Sequence, residues 1–333
     1  MKQFTLPDEV EVLIVGAGPA GLTAANVLSA KGKQILLIDI RKQIGHPLRC
    51  GELTFQDIFP IMGFQNREKW VRWNLSDDSE DMVVLNRPVM ENDMAREVAE
   101  KGVLVIQSTS VTAIGEFKDG KREITLQSNG KQQRLNARLT IIADGVSSAT
   151  AQLARIETRL TLDEIASCMA YRITGAQLKY PYRFSFQHFM EIRPFYFWVI
   201  PSGKDEANVG ICVHGSRGHA AAALLDQYIK KSSAIDGGTI TDTIVGSFPS
   251  APPLEKPYRD GIMVAGTAAR LISADTGDGI IQAALSGRAA AEVYLSLAGE
   301  ATTEVKLSIY RKKLNYIYQQ LYESLDRRMS GER

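Results

Sequence analysis

The 333-residue chain carries 39 lysines and arginines against 38 aspartates and glutamates, so it is long enough for about two domains and too evenly charged to favour nucleic acid. Its three cysteines, Cys50, Cys168 and Cys212, are too few and too widely spaced for a disulfide framework and fit a reducing compartment. No metal is expected, because no second cluster joins His46 and Cys50 to complete a zinc site.

"EVEVLIV" at residues 9–15 is β-branched and stops at "GAGPAG", residues 16–21, after which a helical pattern runs through Leu28 to "KGK". A second apolar strand, "QILLID", ends in Asp39. Strand, glycine turn, helix and strand in that order read as a dinucleotide-binding unit. Gly16 permits the turn, Gly18 lets a pyrophosphate approach the backbone, and Gly21 allows helix and strand to pack closely, while the helix N-terminus faces the phosphate charge. Asp39 is placed to accept hydrogen bonds from an adenosine ribose. Residues 12–30 are uncharged and long enough to be taken for a membrane span, but the glycines and Pro19 at their centre oppose one continuous helix. No basic leader with a cleavage site stands out, and a cytoplasmic protein is expected.

"HPLRCGELTF", residues 46–55, has no strong strand or helix pattern and sets Cys50 against Gly51. "RPVMENDM" begins at Arg87, and Met90 and Met94 at helical spacing put that arginine at the head of a helix, beside a pyrophosphate or in solvent. "ARLTIIADGVSS", residues 137–148, is an apolar strand that runs into Asp144 and Gly145. Between about 165 and 250 the texture changes. "SCMAYRIT", "YRFSFQHFMEI", "FYFWVIP" and "NVGICVHG" read as strands separated by turn chemistry such as "PSGKDE", an antiparallel sheet inserted into the nucleotide domain. A helix from about His219 to Lys231 follows, and "PSAPP" marks the return. Residues 261–293 form a strand, a glycine turn at Gly266, a loop, and a second glycine-rich turn at Gly277 and Gly279 that opens a helix at Ile280. Beyond residue 303, Leu307, Tyr310, Leu314, Ile317, Leu321 and Leu325 recur at helical spacing, a stripe for packing on the first domain or a partner subunit, with a membrane surface as the alternative.

Three separate places, residues 16–21, 137–148 and 261–293, together resemble the FAD-contacting segments of the flavoprotein oxidoreductases that share the aromatic hydroxylase fold. "GHPLRCGE" resembles the cysteine-glycine segment that follows the second strand in archaeal geranylgeranyl reductases. "FYFWVIP" resembles the YxWxFP segment of that family through Tyr196, Trp198 and Pro201, with Ile200 in place of phenylalanine and Pro194 one residue out of register. The resemblance covers residues 10–291. It implies an α/β class, α+β overall: a Rossmann-like FAD-binding domain over residues 1–75, 86–162 and 256–300, an inserted antiparallel β-sheet substrate domain over 163–255, and a C-terminal helix within 301–333.

The resemblance places FAD contacts at Gly16, Gly18, Pro19, Ala20, Gly21, Asp39, Arg49, Cys50, Gly51, Leu53, Arg87, Val111, Asp144, Gly145, Thr267, Gly277, Gly279 and Ile280. The positive N-terminus of the helix opened at Ile280 suits the negative charge of a reduced flavin. Tyr196 and Trp198 would line an apolar channel for a polyprenyl chain, although aromatics on a strand also fill ordinary cores. Where the family reads Gly-Asp-Ala-Ala, this chain has Gly266, Thr267, Ala268 and Ala269. Threonine replaces a hydrogen bond to the ribityl-phosphate region but not its charge, so weaker FAD binding is expected.

The implied activity is reduction of isolated C=C bonds in a geranylgeranyl or polyprenyl group of a lipid, pigment precursor or quinone, by hydride from reduced FAD. Such alkenes have no carbonyl to polarise them, so the site must supply orientation, exclusion of water and an acid. Cys50 is the candidate acid, protonated near neutral pH unless a neighbour such as Arg49 lowers its pKa; alternatively it packs on the flavin and shapes the pocket. The reductant stays open between NADPH and a ferredoxin, and with it a redox partner protein and peripheral contact with a membrane. A monooxygenase or halogenase of the same fold, and a flavin electron-transfer protein, are the competing readings.

Overall fold

A computed structural model describes residues 6–65, 67–77 and 80–330. The tips of the expected first and last segments, residues 1–5 and 331–333, lie outside the described residues.

Five strands pair in parallel at the centre of the larger sheet, in the order Ile262–Val264, Lys131–Ile142, Glu9–Val15, Ile35–Ile38 and Leu104–Ile106. Val12, Leu13 and Ile14 are fully buried although their side chains alternate between the two faces. Burial on both faces is why the first strand reads as an unbroken apolar run. Helix Pro19–Ser29 begins with a proline and packs against helix Ile280–Ser296. A Cβ at Gly287 would stand 2.0 Å from the Ala20 carbonyl oxygen, so these helices meet backbone to backbone. The hairpin of Thr109–Lys118 and Lys121–Ser128 extends the sheet from Lys131–Ile142.

The second sheet is antiparallel, in the order Ser185–Gln187, Phe197–Pro201, Glu206–His214, Ile165–Thr174 and Thr239–Pro249. Strand alternation divides its residues between two cores. Phe197, Val199, Val209 and Ile211 pack with Leu225 and Tyr228 of helix Ala221–Lys231. Trp198, Ile200, Cys212 and Ala170 point the other way, into a core that includes Leu75 and Val84 of a third, three-stranded sheet. That sheet pairs Leu53–Phe55, Glu80–Leu85 and Val71–Asp77.

Two expectations are corrected, and one strand that the sequence pattern did not mark is added. "YRFSFQHFMEI" supplies only the short edge strand Ser185–Gln187 before a turn of 3-10 helix at Met190–Ile192. Strand Thr239–Pro249 closes the opposite edge, but it is exposed over most of its outer half and lacks the apolar run that marks a buried strand. The C-terminal segment forms two helices, Glu304–Lys313 and Asn315–Ser330, rather than one. Their stripe of Leu307, Tyr310, Leu314, Ile317 and Leu321 is buried in the core of the parallel sheet, and the Tyr310 hydroxyl donates to the Val264 carbonyl at 3.0 Å. Packing therefore consumes the face that a membrane would need. Among the described residues no helix is long and apolar enough to cross a membrane.

Candidate active site

Gly16 adopts φ +107°, and a Cβ there would stand 2.3 Å from the Ala143 carbonyl oxygen. Both demands select glycine. A Cβ at Gly21 would come within 1.9 Å of the Gly16 carbonyl oxygen, whereas one at Gly18 or Gly145 would meet nothing within 4 Å. Gly18 thus leaves open space before the N-terminus of helix Pro19–Ser29, where free amides carry positive partial charge.

Beside this turn Asp39 is buried, with donors on both oxygens. The Ala17 N–H donates to Oδ2 at 2.7 Å, while Arg41 donates through its backbone N–H at 2.8 Å and Nε at 2.9 Å to Oδ1. Burial opposes the carboxylate, and these donors still hold its pKa below the usual value. The oxygens that spacing offers to a ribose are therefore already met by Arg41, a partner that spacing did not reveal. Val111 buries its side chain beside Val10 and Ile38.

Arg41 also reaches Glu91 at 3.3 Å, and Glu91 pairs with Arg87 at the head of helix Arg87–Glu100. Burial works against charge on Arg87, but Glu91 and the Cys50 sulfur outweigh it and its pKa rises. With its side chain 18% exposed and Nε unpartnered among the described residues, Arg87 is a buried cation rather than a solvated one. Arg87 thus stands beside the thiol as a cation that the sequence did not pair with it, while Arg49 is exposed. The Cys50 Sγ also accepts the Glu52 N–H at 3.2 Å.

Glu52 was not legible as a site residue. It is 1% exposed with φ +66°. Its Oε1 accepts the Arg87 N–H at 3.0 Å and its Oε2 accepts Arg172 Nη2 at 2.7 Å. Arg172 continues to Glu206 at 3.0 Å, and Arg72 lies 3.9 Å from Glu52. A single carboxylate thus ties the Cys50 loop, the Arg87 helix and the antiparallel sheet together. Arg87 stands 35 and Arg172 120 residues from Glu52 in sequence, so only the acidic residue in "RCGE" hinted at the junction.

A cavity of about 470 Å³ opens between the antiparallel sheet, the three-stranded sheet and the glycine turn before helix Ile280–Ser296. Pro19, Arg49, Cys50, Gly51, Leu53, Arg87 and Thr267 line it, with Gly277, Gly279 and Ile280 at the N-terminus of the 17-residue helix, and Tyr196 and Trp198 on the antiparallel sheet. Gly16, Gly18, Ala20, Gly21, Asp39, Val111, Asp144 and Gly145 lie outside this lining. The Tyr196 hydroxyl donates to the Thr276 carbonyl, and Trp198 Nε1 donates to Asn208 Oδ1 at 2.8 Å. Gly210 makes room for the indole, since a Cβ there would lie 2.2 Å from its ring. Met82, Phe184, Phe186, Ile200, Ile244 and Phe248 complete apolar walls suited to an apolar ligand.

Polar capacity is left over, on Asp278 and Arg87 in the cavity lining and on Asp144 outside it. Asp144 Oδ1, Asp278 Oδ1 and Arg87 Nε are buried without a partner among the described residues. Burial raises the pKa of Asp144 and of Asp278 despite hydrogen bonds from Thr150 and from Ile280 respectively. Open space at a helix N-terminus, a spare guanidinium donor and spare acceptors fit a phosphate- and hydroxyl-bearing dinucleotide such as FAD. Among the described residues no group of three His, Cys, Asp or Glu is placed to hold a metal ion.

Residues 9–54 match the family model of an FAD binding domain, and residues 164–247 match that of a geranylgeranyl reductase catalytic domain. A digeranylgeranylglycerophospholipid reductase of Methanoculleus marisnigri is 33% identical over 309 residues, 86% of this chain and 77% of that relative. The chain belongs to the geranylgeranyl reductase family. A digeranylgeranylglycerophospholipid reductase of Methanosarcina mazei is 30% identical over 333 residues, covering 92% of this chain and 81% of that one. A geranylgeranyl bacteriochlorophyll reductase-like protein from Thermoplasma acidophilum has the same fold, with TM-score 0.91 at 23% identity over 97% of this chain and 88% of that one. The FAD-dependent halogenase CndH shares the fold less closely, with TM-score 0.73 at 19% identity over 95% and 82% of the two chains. Like its family this chain is an oxidoreductase, and its cofactor is FAD.

Proposed function

We propose that this protein is an FAD-dependent reductase of C=C bonds in a geranylgeranyl or related polyprenyl group carried by a lipid. One observation carries the reading: Tyr196 and Trp198 share a single apolar cavity with Cys50, Arg87 and the Gly279 helix terminus. An apolar chain and the reactive end of a flavin have a place there together. FAD, when bound and reduced, supplies the hydride.

The residues of this chain supply the rest. The turn from Gly16 to Gly21 and Arg87 would hold the pyrophosphate, Val111 and, with Arg41 displaced from its oxygens, Asp39 the adenosine end, and Asp144 and Gly145 the middle. Arg49, Cys50, Gly51, Leu53, Thr267, Gly277, Gly279 and Ile280 would hold the flavin end, where the helix N-terminus stabilises negative charge. Tyr196 and Trp198 orient the prenyl chain and exclude water. Cys50, its sulfur fixed by the Glu52 amide and Arg87, donates the proton to the second alkene carbon.

Electrons arrive from NADPH or a ferredoxin-type partner. Exposed Tyr180, Tyr182 and Met190 belong to the segment that carries Phe184 and Phe186 to the cavity, and this is the face that would meet a lipid surface. Anaerobic incubation with dithionite and a geranylgeranyl lipid should yield products heavier by two hydrogens per bond reduced. Products bearing oxygen or halogen, formed only in air, would instead favour the monooxygenase or halogenase reading.

A further inference from the structure

Cys168 and Cys212 stand 44 residues apart in sequence yet directly opposite one another on strands Ile165–Thr174 and Glu206–His214. The Cys212 N–H donates to the Tyr196 carbonyl at 2.8 Å. Its backbone polar groups therefore face the neighbouring strand on the other side, which makes Cys168 and Cys212 a non-hydrogen-bonded pair. In such pairs the Cα atoms are closest, about 4.5 Å apart, which lies within the span of roughly 4.4–6.8 Å that a disulfide bridges. The two sulfurs are 3.1 Å apart on the cavity face of the sheet.

The two thiols differ in access. Cys168 is half-buried and lines the cavity, whereas Cys212 is fully buried behind it. We propose that Cys168 and Cys212 form an oxidisable dithiol in the cavity wall, which takes a hydroperoxide as its oxidant and closes to a cross-strand disulfide. Cys168 sulfur attacks the peroxide O–O bond, becoming a sulfenic acid while hydrogen peroxide is reduced to one water. The Cys212 sulfur then forms the S–S bond and displaces the sulfenic oxygen as a second water, so that two thiols and one peroxide give one disulfide and two waters. Burial, which pushes the Cys212 thiol pKa well up, agrees with Cys168 reacting first. None of this depends on the prenyl-reductase reading, since the oxidant reacts with the sulfurs alone.

The test is peroxide treatment of the FAD-loaded protein, followed by thiol counting and peptide mass mapping without reductant. Two of the three thiols should be lost, with a linked Cys168–Cys212 peptide pair, and dithiothreitol should restore both. In Cys212→Ala the reaction should stop at a Cys168 sulfenic acid that dimedone captures, and in Cys168→Ala Cys212 should keep its thiol. Preserved thiols, separate sulfinic acids without a linked pair, or consumption of Cys50 alone would overturn the proposal.

Discussion

At the scale of single residues, the most consequential atom is the Cys50 sulfur, held between the Glu52 amide and the Arg87 guanidinium. If it donates the proton, Cys50→Ser and Cys50→Ala should still bind FAD yet lose turnover by roughly 100-fold, the scale of general acid catalysis. Unchanged turnover in both would leave the thiol as cavity wall only. Thr267 lines the same cavity where the family carries aspartate. Thr267→Asp should tighten FAD about fivefold in a fluorescence titration, since a charge-assisted hydrogen bond exceeds a neutral one by about 1 kcal/mol; equal or weaker affinity would show that the neutral residue suits this site. Asp39 makes a third case. Its pKa is depressed in the folded protein, so its contribution is complete above the unfolded value near 3.9 and is lost as pH falls through the lower folded value. Asp39→Asn should cost about 3 kcal/mol in denaturant unfolding at pH 7, and the gap from the parent should close in that acid window.

Residues whose role follows from local backbone geometry were legible in sequence: Gly16, Gly21 and Arg87 sit in the turn and at the helix head that their spacing implied. Residues whose role is to satisfy a distant charge were not. Arg41 meets Glu91, and Glu52 meets Arg172, only when segments far apart in the chain come together, although Arg41 also pairs with Asp39 two residues away and Glu91 with Arg87 four residues away.

Among elements the same division holds. The parallel strands announce themselves as apolar runs because both faces are covered, and helix Ile280–Ser296 is announced by its glycine turn. Strand Thr239–Pro249 and the three-stranded sheet carry mixed, half-exposed sequences, and their pairing rests on neighbours rather than on their own pattern. Glu52 is where three such elements join. Glu52→Gln should lower stability by about 3 kcal/mol because it leaves the Arg172 charge buried and underpaired. Replacing both, as Glu52→Leu with Arg172→Met, should restore much of that loss in a double-mutant cycle read by denaturant unfolding. Additive losses would show that the pair does not act as one latch.

At the scale of the molecule, the Cys50 loop, the Gly277–Gly279 turn and the aromatic strand of the antiparallel sheet are far apart in sequence. One cavity brings them together, with Cys50 and Thr267 on one side and Tyr196 and Trp198 on the antiparallel sheet. The C-terminal helices close the parallel-sheet core rather than add to the site. The central claim is that the cavity couples a flavin to a prenyl double bond, and the flavin's own colour reports it. The protein reconstituted with FAD and bleached by dithionite without oxygen should regain its yellow absorption when a geranylgeranyl lipid is added, and should do so far more slowly as Trp198→Ala. A flavin that stays bleached with the lipid and recovers only in air would contradict the account.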